Sequence, residues 1–436
     1  MNKKDLKMRP VGNEYLEQYN ALLRYVFQVT DQELSSVGWQ EKEIIRAKFP
    51  TMQKADVIGW FDGDTLVSQV AVYPMRVKVF GKTYSMGGLT GVGTYPEYSN
   101  MGLMHKLLEQ ALKNMREKKQ YICYLYPYSI PYYRRKGWEL ISDKISYEIK
   151  DYQLPKNHQV AGSVRRVKAD GEELKETYAR FAEHTHGAIL RDELAWNEYW
   201  LWDRDDIMAA IYYNENEEPD GYIIYWIENE VFYIKDMIFN HEEARTGLWN
   251  FVSAHFSMID RVEGSTYTDE PLAFLLEDAS IKESISPYYM ARIVDFPAFV
   301  ADYPFKADGT EREWRFSMTD PIMECNQGSF LLKISKDGRG TAVKISEPCA
   351  DSISIQTMTT MLMGYKRPDY LAKIGRIHAG GETMTCWRTR LSSSRPIYPT
   401  ISKGRNIIFF QTTSTKAGDP PLCRKLICWR APLFGA

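Results

Sequence analysis

The chain has 436 residues, 44% of them apolar and 26% charged, an ordinary globular composition that predicts two to four domains, with three as the natural number. No run of residues approaches the ~20 apolar positions that span a bilayer, and the first ten residues lack the apolar stretch of a signal peptide, so we predict a cytoplasmic protein that does not enter membranes. Six cysteines with no CxxC pair and no regular spacing argue against a disulfide scaffold and against a metal site.

Elements along the first 150 residues alternate between helical and strand periodicity. In chain order, the pattern predicts helices over 14–29 and 39–48, strands over 55–61, 66–74, 75–80, 83–88 and 89–95, a helix over 102–118, a strand over 121–126, a short helix over 130–136 and a last strand over 138–149. We therefore expect a first domain over residues 1–150, closed by the polar stretch that follows.

The second part of the chain repeats this element order with weaker signals. It predicts helices over 171–184 and 192–202, strands over 207–214, 221–228 and 231–239, and a helix over 242–256. A third region mixes strands over 328–335 and 341–345 with a helix over 357–363. The class is therefore α/β (α+β), with expected domains over residues 1–150, 151–288 and 289–436.

One candidate site is the stretch from Leu89 to Leu108, which reads as a strand, a short loop and the start of an amphipathic helix. A helix N-terminus offers unpaired backbone N–H groups and a positive dipole end, which favour an anion such as a pyrophosphate. Gly102 would let the backbone approach the phosphates closely. The alternative is that this glycine only eases a tight strand-to-helix turn.

Two motifs resemble the GNAT acetyltransferase superfamily. Its coenzyme A loop has the pattern (Arg/Gln)-x-x-Gly-x-(Gly/Ala), which falls here on Ser99 to Met104 and matches strictly only at Gly102. Its later Tyr-x-x-x-Gly-aromatic helix falls on Tyr133, Gly137 and Trp138. With a second GNAT-like segment and a further domain in order, the chain resembles the Eis family, which has two tandem GNAT (acyl-CoA N-acyltransferase) folds followed by a sterol-carrier-like α+β domain.

The resemblance implies an N-acetyltransferase in which a substrate amine attacks the thioester of acetyl-CoA directly, with no metal. Tyr133 would protonate the departing thiolate, and general-acid help of this kind is worth ~10²–10⁴-fold in rate; the alternative is that Tyr133 only packs. The implied cofactor-binding residues act through their backbone groups and are Val92, Gly93, Thr94, Ser99, Asn100, Met101, Gly102 and Leu103.

The acceptor implied by the resemblance is a small-molecule or peptide amine, such as an aminoglycoside-like, polyamine or lysine amine. Phe27 and Trp39 match a region that forms one wall of the acceptor pocket, although packing in the core explains either residue equally well. The second segment carries Gly247 but no phosphate loop, which indicates a degenerate GNAT domain. Similar proteins assemble as homo-oligomers, including hexamers.

The charge of the chain is unevenly distributed. Residues 1–379 carry a net charge of −9, whereas residues 380–436 carry +7 and contain two acids. The acidic bulk disfavours nucleic acid as a partner, because phosphate binding needs a basic face. The abrupt change at residue 380, together with three of the six cysteines, leads us to hypothesise that 380–436 is a frameshifted or vector-derived tail.

A different class of function stays open at this point. The third domain could bind a lipid or another apolar ligand, with the GNAT part serving as a non-catalytic scaffold. Binding of acetyl-CoA separates this alternative from the acetyltransferase hypothesis.

Overall fold

The computed structural model describes residues 5–30, 49, 52–200, 207–267 and 272–392. The helix predicted over 39–48, and with it Trp39, lies outside these residues. Within them, three β-sheets form, two of seven strands and one of five. The predicted α/β (α+β) class is confirmed.

The first part of the chain contains β1 (Leu6–Pro10), α1 (Leu16–Phe27), β2 (Asp56–Asp62), β3 (Thr65–Val79), β4 (Lys82–Thr94), α2 (Leu103–Glu117), β5 (Ile122–Leu125), α3 (Ile130–Arg134), β6 (Glu139–Leu140) and β7 (Asp143–Lys150). The middle part contains β8 (Ser163–Val167), α4 (Glu172–His184), α5 (Glu193–Trp200), β9 (Met208–Tyr213), β10 (Pro219–Glu228), β11 (Val231–Phe239), α6 (Glu242–Ser253), β12 (Arg261–Tyr267), β13 (Lys282–Pro287) and β14 (Met290–Ile293). The last part contains α7 (Phe296–Asp302), β15 (Arg312–Thr319), β16 (Gly328–Ile334), β17 (Gly340–Ile345), β18 (Ser352–Ser354), α8 (Ile355–Leu362), α9 (Pro368–Lys373), β19 (Ile377–His378) and α10 (Gly381–Arg390).

The antiparallel meander of the first sheet has fewer and longer strands than the sequence predicts. Five strands are expected over 55–95, but β2, β3 and β4 span this region as three. The strand ends predicted at Pro74 and Gly88 lie within the continuous β3–β4 register, where Pro74 pairs with Gly87 and Tyr73 pairs with Gly88. Because both segments stay extended and paired, neither Pro74 nor Gly88 interrupts its strand.

The two seven-stranded sheets exchange strands. The strand predicted over 138–149 is divided: β6 stays in the first sheet, whereas β7 pairs with β12 and β13 in the second. In return, β14 crosses back and lies between β5 and β6 of the first sheet. No single boundary in the chain therefore separates the residues of the two sheets. The apolar pattern of the sequence does not reveal this exchange, because it indicates only that a strand is buried and not which sheet it joins.

The five-stranded sheet has the order β17-β16-β15-β18-β19 and carries the four helices α7 to α10 beside it among the described residues. We expected the chain to change character at residue 380, but α10 continues the third domain. The Trp387 ring stacks on Trp314 with 3.8 Å between ring centroids. Leu391 and Cys386 are buried as well.

The basic residues of α10 have acidic partners earlier in the chain, which the charge count does not reveal. Arg390 is fully buried, forms an ion pair of 2.5 Å with Asp308 and donates to the carbonyl of Lys306 at 2.6 Å. Arg388 pairs with Asp369 at 2.5 Å. The segment up to residue 392 is thus integrated into the domain, and the hypothesis of a foreign tail concerns residues beyond those described.

His186 lies where the three parts of the chain meet, between Phe80 and Met363. Its Nδ1 accepts from the Phe80 N–H at 3.1 Å, so Nε2 carries the proton that is shared with the Met363 carbonyl at 3.1 Å. Burial lowers the pKa of His186 to about 4. The neutral ring, which can both accept and donate, is therefore the form that the fold requires.

The folded-state pKa of His186 lies below the unfolded value of about 6.5, so the unfolded chain takes up a proton first as the pH falls. We expect the stability contribution to be complete above pH 6.5 and to be lost between pH 6.5 and 4, by roughly 3 kcal/mol at 1.36 kcal/mol per pKa unit. Urea unfolding at pH 7, 5.5 and 4.5 measures this loss. A His186→Asn variant should be less stable at pH 7, but its free energy of unfolding should change less with pH than that of the wild type. An equal pH dependence in the two proteins would contradict the role of His186 as the titrating group.

Candidate functional site

The carboxyl end of β4 opens away from the next strand of the sheet. β4 pairs in parallel with β5 only over Met86 to Gly88, but pairs with β3 as far as Thr94. The β3–β4 register shifts at Gln69, and Gly91 in β4 has a φ of 62°. Val92, Gly93 and Thr94, the residues expected to bind a cofactor through their backbone, lie on this open segment, beyond the part of β4 that β5 covers in the described residues.

Helix α1 covers the open end of β4. A Cβ on Gly91 would lie 2.6 Å from the Tyr19 hydroxyl, and one on Gly93 would lie 3.1 Å from Val26 Cγ2. Phe27, one residue further along α1, is half-buried and packs against the main core cluster. The predicted wall residue Phe27 is thus at the end of the helix that covers this cleft, with an additional packing role.

The loop between β4 and α2 is fixed at its ends and exposed in the middle. The Tyr98 hydroxyl donates to Asp62 Oδ2 at 2.9 Å, and Trp60 Nε1 donates to the Leu103 carbonyl at 3.1 Å. Ser99, Asn100 and Gly102 are exposed, Met101 is half-buried and Leu103 is buried. The loop is held in place, and its backbone remains accessible.

The backbone of this loop has the conformation that an anion site needs. Asn100 and Gly102 both have positive φ values, of 61° and 74°, and Gly102 is the N-cap of α2. The first turn of α2 contains no acidic residue, so no carboxylate opposes the positive end of the helix dipole. The residues and the backbone therefore fit a diphosphate at the start of α2.

Lys136 places a cation beside this helix start. Its Nζ lies 3.0 Å from Nδ1 of His105, which is in the first turn of α2. Burial, followed by the Lys136 charge, lowers the pKa of His105 below its usual value, and burial also lowers the pKa of Lys136. Two basic groups thus share a partly buried position at the positive end of α2.

Tyr133 packs in the same cluster as the residues of β4 and α2 that border the cleft. It is 2% exposed, and its neighbours in the cluster include Leu89 and Leu107, with Val92 and Met104 packed against them. The Tyr133 hydroxyl makes no hydrogen bond within the described part of the chain. Burial, followed by Tyr132, raises the pKa of Tyr133 well above its usual value of 10, so the phenol keeps its proton at neutral pH.

Cys123 lies next to this tyrosine and is chemically silent. The side chain is fully buried, and burial raises the pKa of its thiol to about 12. A thiol in this state carries almost no thiolate at neutral pH, so Cys123 does not act as a nucleophile.

Comparison with known protein families identifies three domains in the chain. Residues 7–141 and 187–293 match models of the acetyltransferase (GNAT) domain, and residues 296–399 match the sterol carrier protein domain. The chain consists of two GNAT acetyltransferase domains followed by a sterol carrier protein domain. No curated protein matches the sequence.

Solved structures with a similar fold match almost the whole chain. A conserved protein from Enterococcus faecalis V583, described as a probable N-acyltransferase, is 26% identical with a TM-score of 0.82 over 91% of this chain and 99% of its own. A GCN5-related N-acetyltransferase from Anabaena variabilis is 21% identical, with a TM-score of 0.78 over 90% and 98%. Eis1 from Mycobacterium abscessus is 16% identical, with a TM-score of 0.73 over 90% and 98%. The resemblance to the Eis family is confirmed in domain content and fold, and the two GNAT domains have a fold that carries out acyl transfer.

The second GNAT domain has the open strand pair of the first but not its loop. β11 pairs in parallel with β12 only over Val231 to Tyr233, and two residues separate β11 from α6. The first turn of α6 carries Glu242 and Glu243, and Glu243 Oε1 accepts from the Ala161 N–H at 2.7 Å. Two carboxylates thus lie in the first turn of α6, whereas the first turn of α2 has none.

Gly247, the glycine singled out in this segment, has a packing role. A Cβ on Gly247 would lie 2.3 Å from Tyr212 Cδ2. This close approach of helix α6 to β9 explains the glycine without any ligand.

Neither a metal-binding group nor a membrane-spanning helix is found in the described part of the chain. No three His, Cys, Asp or Glu side chains group there in a way that could hold a metal ion. None of the helices seen in the described ranges is long and apolar enough to cross a membrane.

Sequence reasoning missed two basic residues that lie beside Tyr133 and the start of α2, Lys136 and Arg292. Arg292 lies on β14 and is fully buried, and its Nη1 donates to the Lys136 carbonyl beside Gly137. Lys136 could have been noticed as the cation nearest to the Tyr-x-x-x-Gly motif. Arg292 gave no signal, because it is 156 positions from Lys136 in the chain.

Proposed function

We propose that this protein is an N-acetyltransferase that transfers an acetyl group from acetyl-CoA to an amine at the first GNAT domain. The observation that carries the proposal is the meeting of three elements in one place: the open end of β4, the exposed Gly102-capped start of α2, and the buried proton-bearing Tyr133. The acetyltransferase domain match over residues 7–141 supports it.

Acetyl-CoA would supply an activated acetyl group, whose bond to sulfur breaks as the bond from the amine nitrogen to the acetyl carbon forms. Backbone groups of Val92, Gly93 and Thr94 stabilise the charge that develops on the carbonyl oxygen, because fixed dipoles need no reorganisation. Tyr133 gives its hydroxyl proton to the sulfur that leaves and recovers a proton from solvent. The proton of the attacking amine passes to water.

The phosphates of the cofactor would bind at the backbone of Ser99 to Leu103. Ser99 stands where the superfamily pattern has a cation or an amide, so the loop itself carries no positive side chain. We propose that Lys136 supplies this charge from its position beside His105 at the start of α2. An ammonium group suits a phosphate as a point charge.

A tyrosine cluster between the two GNAT domains supports the proposal that the acceptor is an amine. The Tyr126 and Tyr288 ring centroids lie 5.6 Å apart, and those of Tyr288 and Tyr289 lie 4.4 Å apart. Burial, followed by the charge of the buried Glu198, raises the pKa of Tyr73 in the same core. Aromatic faces and a carboxylate are groups that attract a cationic amine.

Isothermal titration with acetyl-CoA tests the proposal. Binding at one site per chain, followed by acetylation of an aminoglycoside, a polyamine or a lysine peptide, is the expected result. Absence of binding at millimolar acetyl-CoA would contradict the proposal and would direct attention to apolar ligands of the sterol carrier protein domain. We also propose that the protein is cytoplasmic. We propose further that it forms a homo-oligomer, for instance a hexamer, and light scattering tests its oligomeric state.

Replacing Lys136 by methionine should weaken acetyl-CoA binding by about tenfold, since one charge-assisted hydrogen bond contributes about 1.5–3 kcal/mol at most and solvent screening reduces this. The dissociation constant should also depend less steeply on salt. Lys82→Met at the opposite end of β4 is the matched control and should change neither quantity. Equal dissociation constants for the wild type and Lys136→Met would exclude this role.

A further inference from the structure

The turn that follows Tyr133 is held by Arg292 of β14, a residue distant in the chain. Tyr133 begins this turn, and its carbonyl accepts from the Lys136 N–H at 2.9 Å and from the Trp138 N–H at 3.1 Å. The Lys136 carbonyl in turn accepts from Arg292 Nη1. Arg292 therefore holds the turn that fixes where α3 ends.

Arg292 is itself held by the sterol carrier protein domain. Its Nη2 lies 2.6 Å from both carboxylate oxygens of Asp320, and both side chains are fully buried. Asp320 also accepts from the Ile322 and Met323 N–H groups at 2.9 Å and from Asn326 Nδ2 at 2.9 Å. A carboxylate with so many donors has one defined position, and a guanidinium bound to it does too.

Two further bonds from the same domain reach the same part of the chain. Gln356 Nε2 donates to the Arg134 carbonyl at 2.9 Å, and the Thr360 hydroxyl donates to the Leu140 carbonyl at 2.7 Å. Two points around the turn after Tyr133 are thus held directly by the sterol carrier protein domain. A third point, the Lys136 carbonyl, is held by Arg292, whose partner Asp320 belongs to that domain.

We infer that Arg292 is a positioning residue for Tyr133 and that, through Asp320, the sterol carrier protein domain sets the orientation of the proton donor. The inference rests on the proposed acetyl transfer. It gives the third domain a role in the reaction that needs no ligand of its own, because misplacement of a donor by about 1 Å can cost about 10²-fold in rate.

Arg292→Lys is the main test, since lysine keeps the charge but cannot bind a carboxylate and a carbonyl with a planar fork. We expect kcat to fall by about 10- to 100-fold and the KM for acetyl-CoA to stay within about twofold. Amide hydrogen exchange in the peptide covering residues 129–138 should become faster. Arg390→Lys is the matched control, because Arg390 is equally buried and paired with an aspartate, and the hydrogen bonds and ion pair it forms in the described part of the chain stay within the third domain. This variant should leave both readouts unchanged.

A double variant separates positioning from general damage. In a Tyr133→Phe background, Arg292→Lys should lower kcat no further, because the proton donor it orients is gone. Gln356→Ala removes a half-buried side chain and should raise the rate of amide hydrogen exchange over 129–138 by less than Arg292→Lys does. This variant replaces Arg292→Lys in the test if Arg292→Lys does not fold.

The outcomes are distinct. Unchanged exchange over 129–138, unchanged kcat, or additive losses in the double variant would each overturn the inference. If wild-type protein transfers no acetyl group while Arg292→Lys still raises exchange over 129–138, the proposed function fails and the link between the third domain and the Tyr133 turn is supported.

Discussion

Replacing Tyr133 by phenylalanine is expected to lower kcat by about 10²-fold or more, within the ~10²–10⁴-fold range of general-acid catalysis. The hydroxyl is the one group removed, and within the described residues it makes no hydrogen bond that the fold depends on. Acetyl-CoA affinity and the unfolding midpoint should therefore stay close to the wild type. Steady-state kinetics, titration with acetyl-CoA and thermal unfolding measure the three quantities.

Tyr132→Phe is the matched control, because Tyr132 lies on the same helix with its ring in contact with Tyr133 at a centroid distance of 5.2 Å. It should retain nearly full kcat. If both variants lost the same activity, or if Tyr133→Phe lost affinity and stability together, Tyr133 would be a packing residue. The pH profile adds a check: because burial raises the pKa of Tyr133, activity should not fall up to pH 9 through loss of this proton.

Replacing Gly137 by alanine is expected to have the largest effect on stability, a loss of about 2–5 kcal/mol in the free energy of unfolding. Gly137 has a φ of 95°, which costs an L-residue roughly 1–2 kcal/mol. A Cβ there would also lie 1.8 Å from Arg292 Nη1, so the guanidinium must move, and overpacking of this kind costs about 1–3 kcal/mol more. Urea unfolding measures the loss.

Gly63→Ala separates the two contributions. Gly63 also has a positive φ, of 59°, but a Cβ there meets no atom within 4 Å. Its replacement should cost only the backbone part, roughly 1–2 kcal/mol. Equal losses at Gly63 and Gly137 would show that Arg292 does not press against the turn.

The sequence by itself determined the local parts of this protein. Gly102 and the helix after it, and Tyr133 followed four positions later by Gly137, lie within short segments whose spacing fixes their relative geometry. Strand and helix periods likewise reported which faces are buried. Such features depend on neighbours in the chain, so a linear pattern records them.

Only the tertiary structure decided how distant segments meet. The exchange of β7 and β14 between sheets leaves no trace in apolar periodicity, because either sheet buries such a strand equally well. The excess of basic residues near the end of the described chain suggests a foreign segment, but Arg390 forms a buried ion pair with Asp308, an acid from a different part of the sequence. Arg292 and Asp320 are ordinary residues in the chain; they become a buried pair beside the Tyr133 turn because the packing of the third domain against the first removes water from both and brings their charges to 2.6 Å.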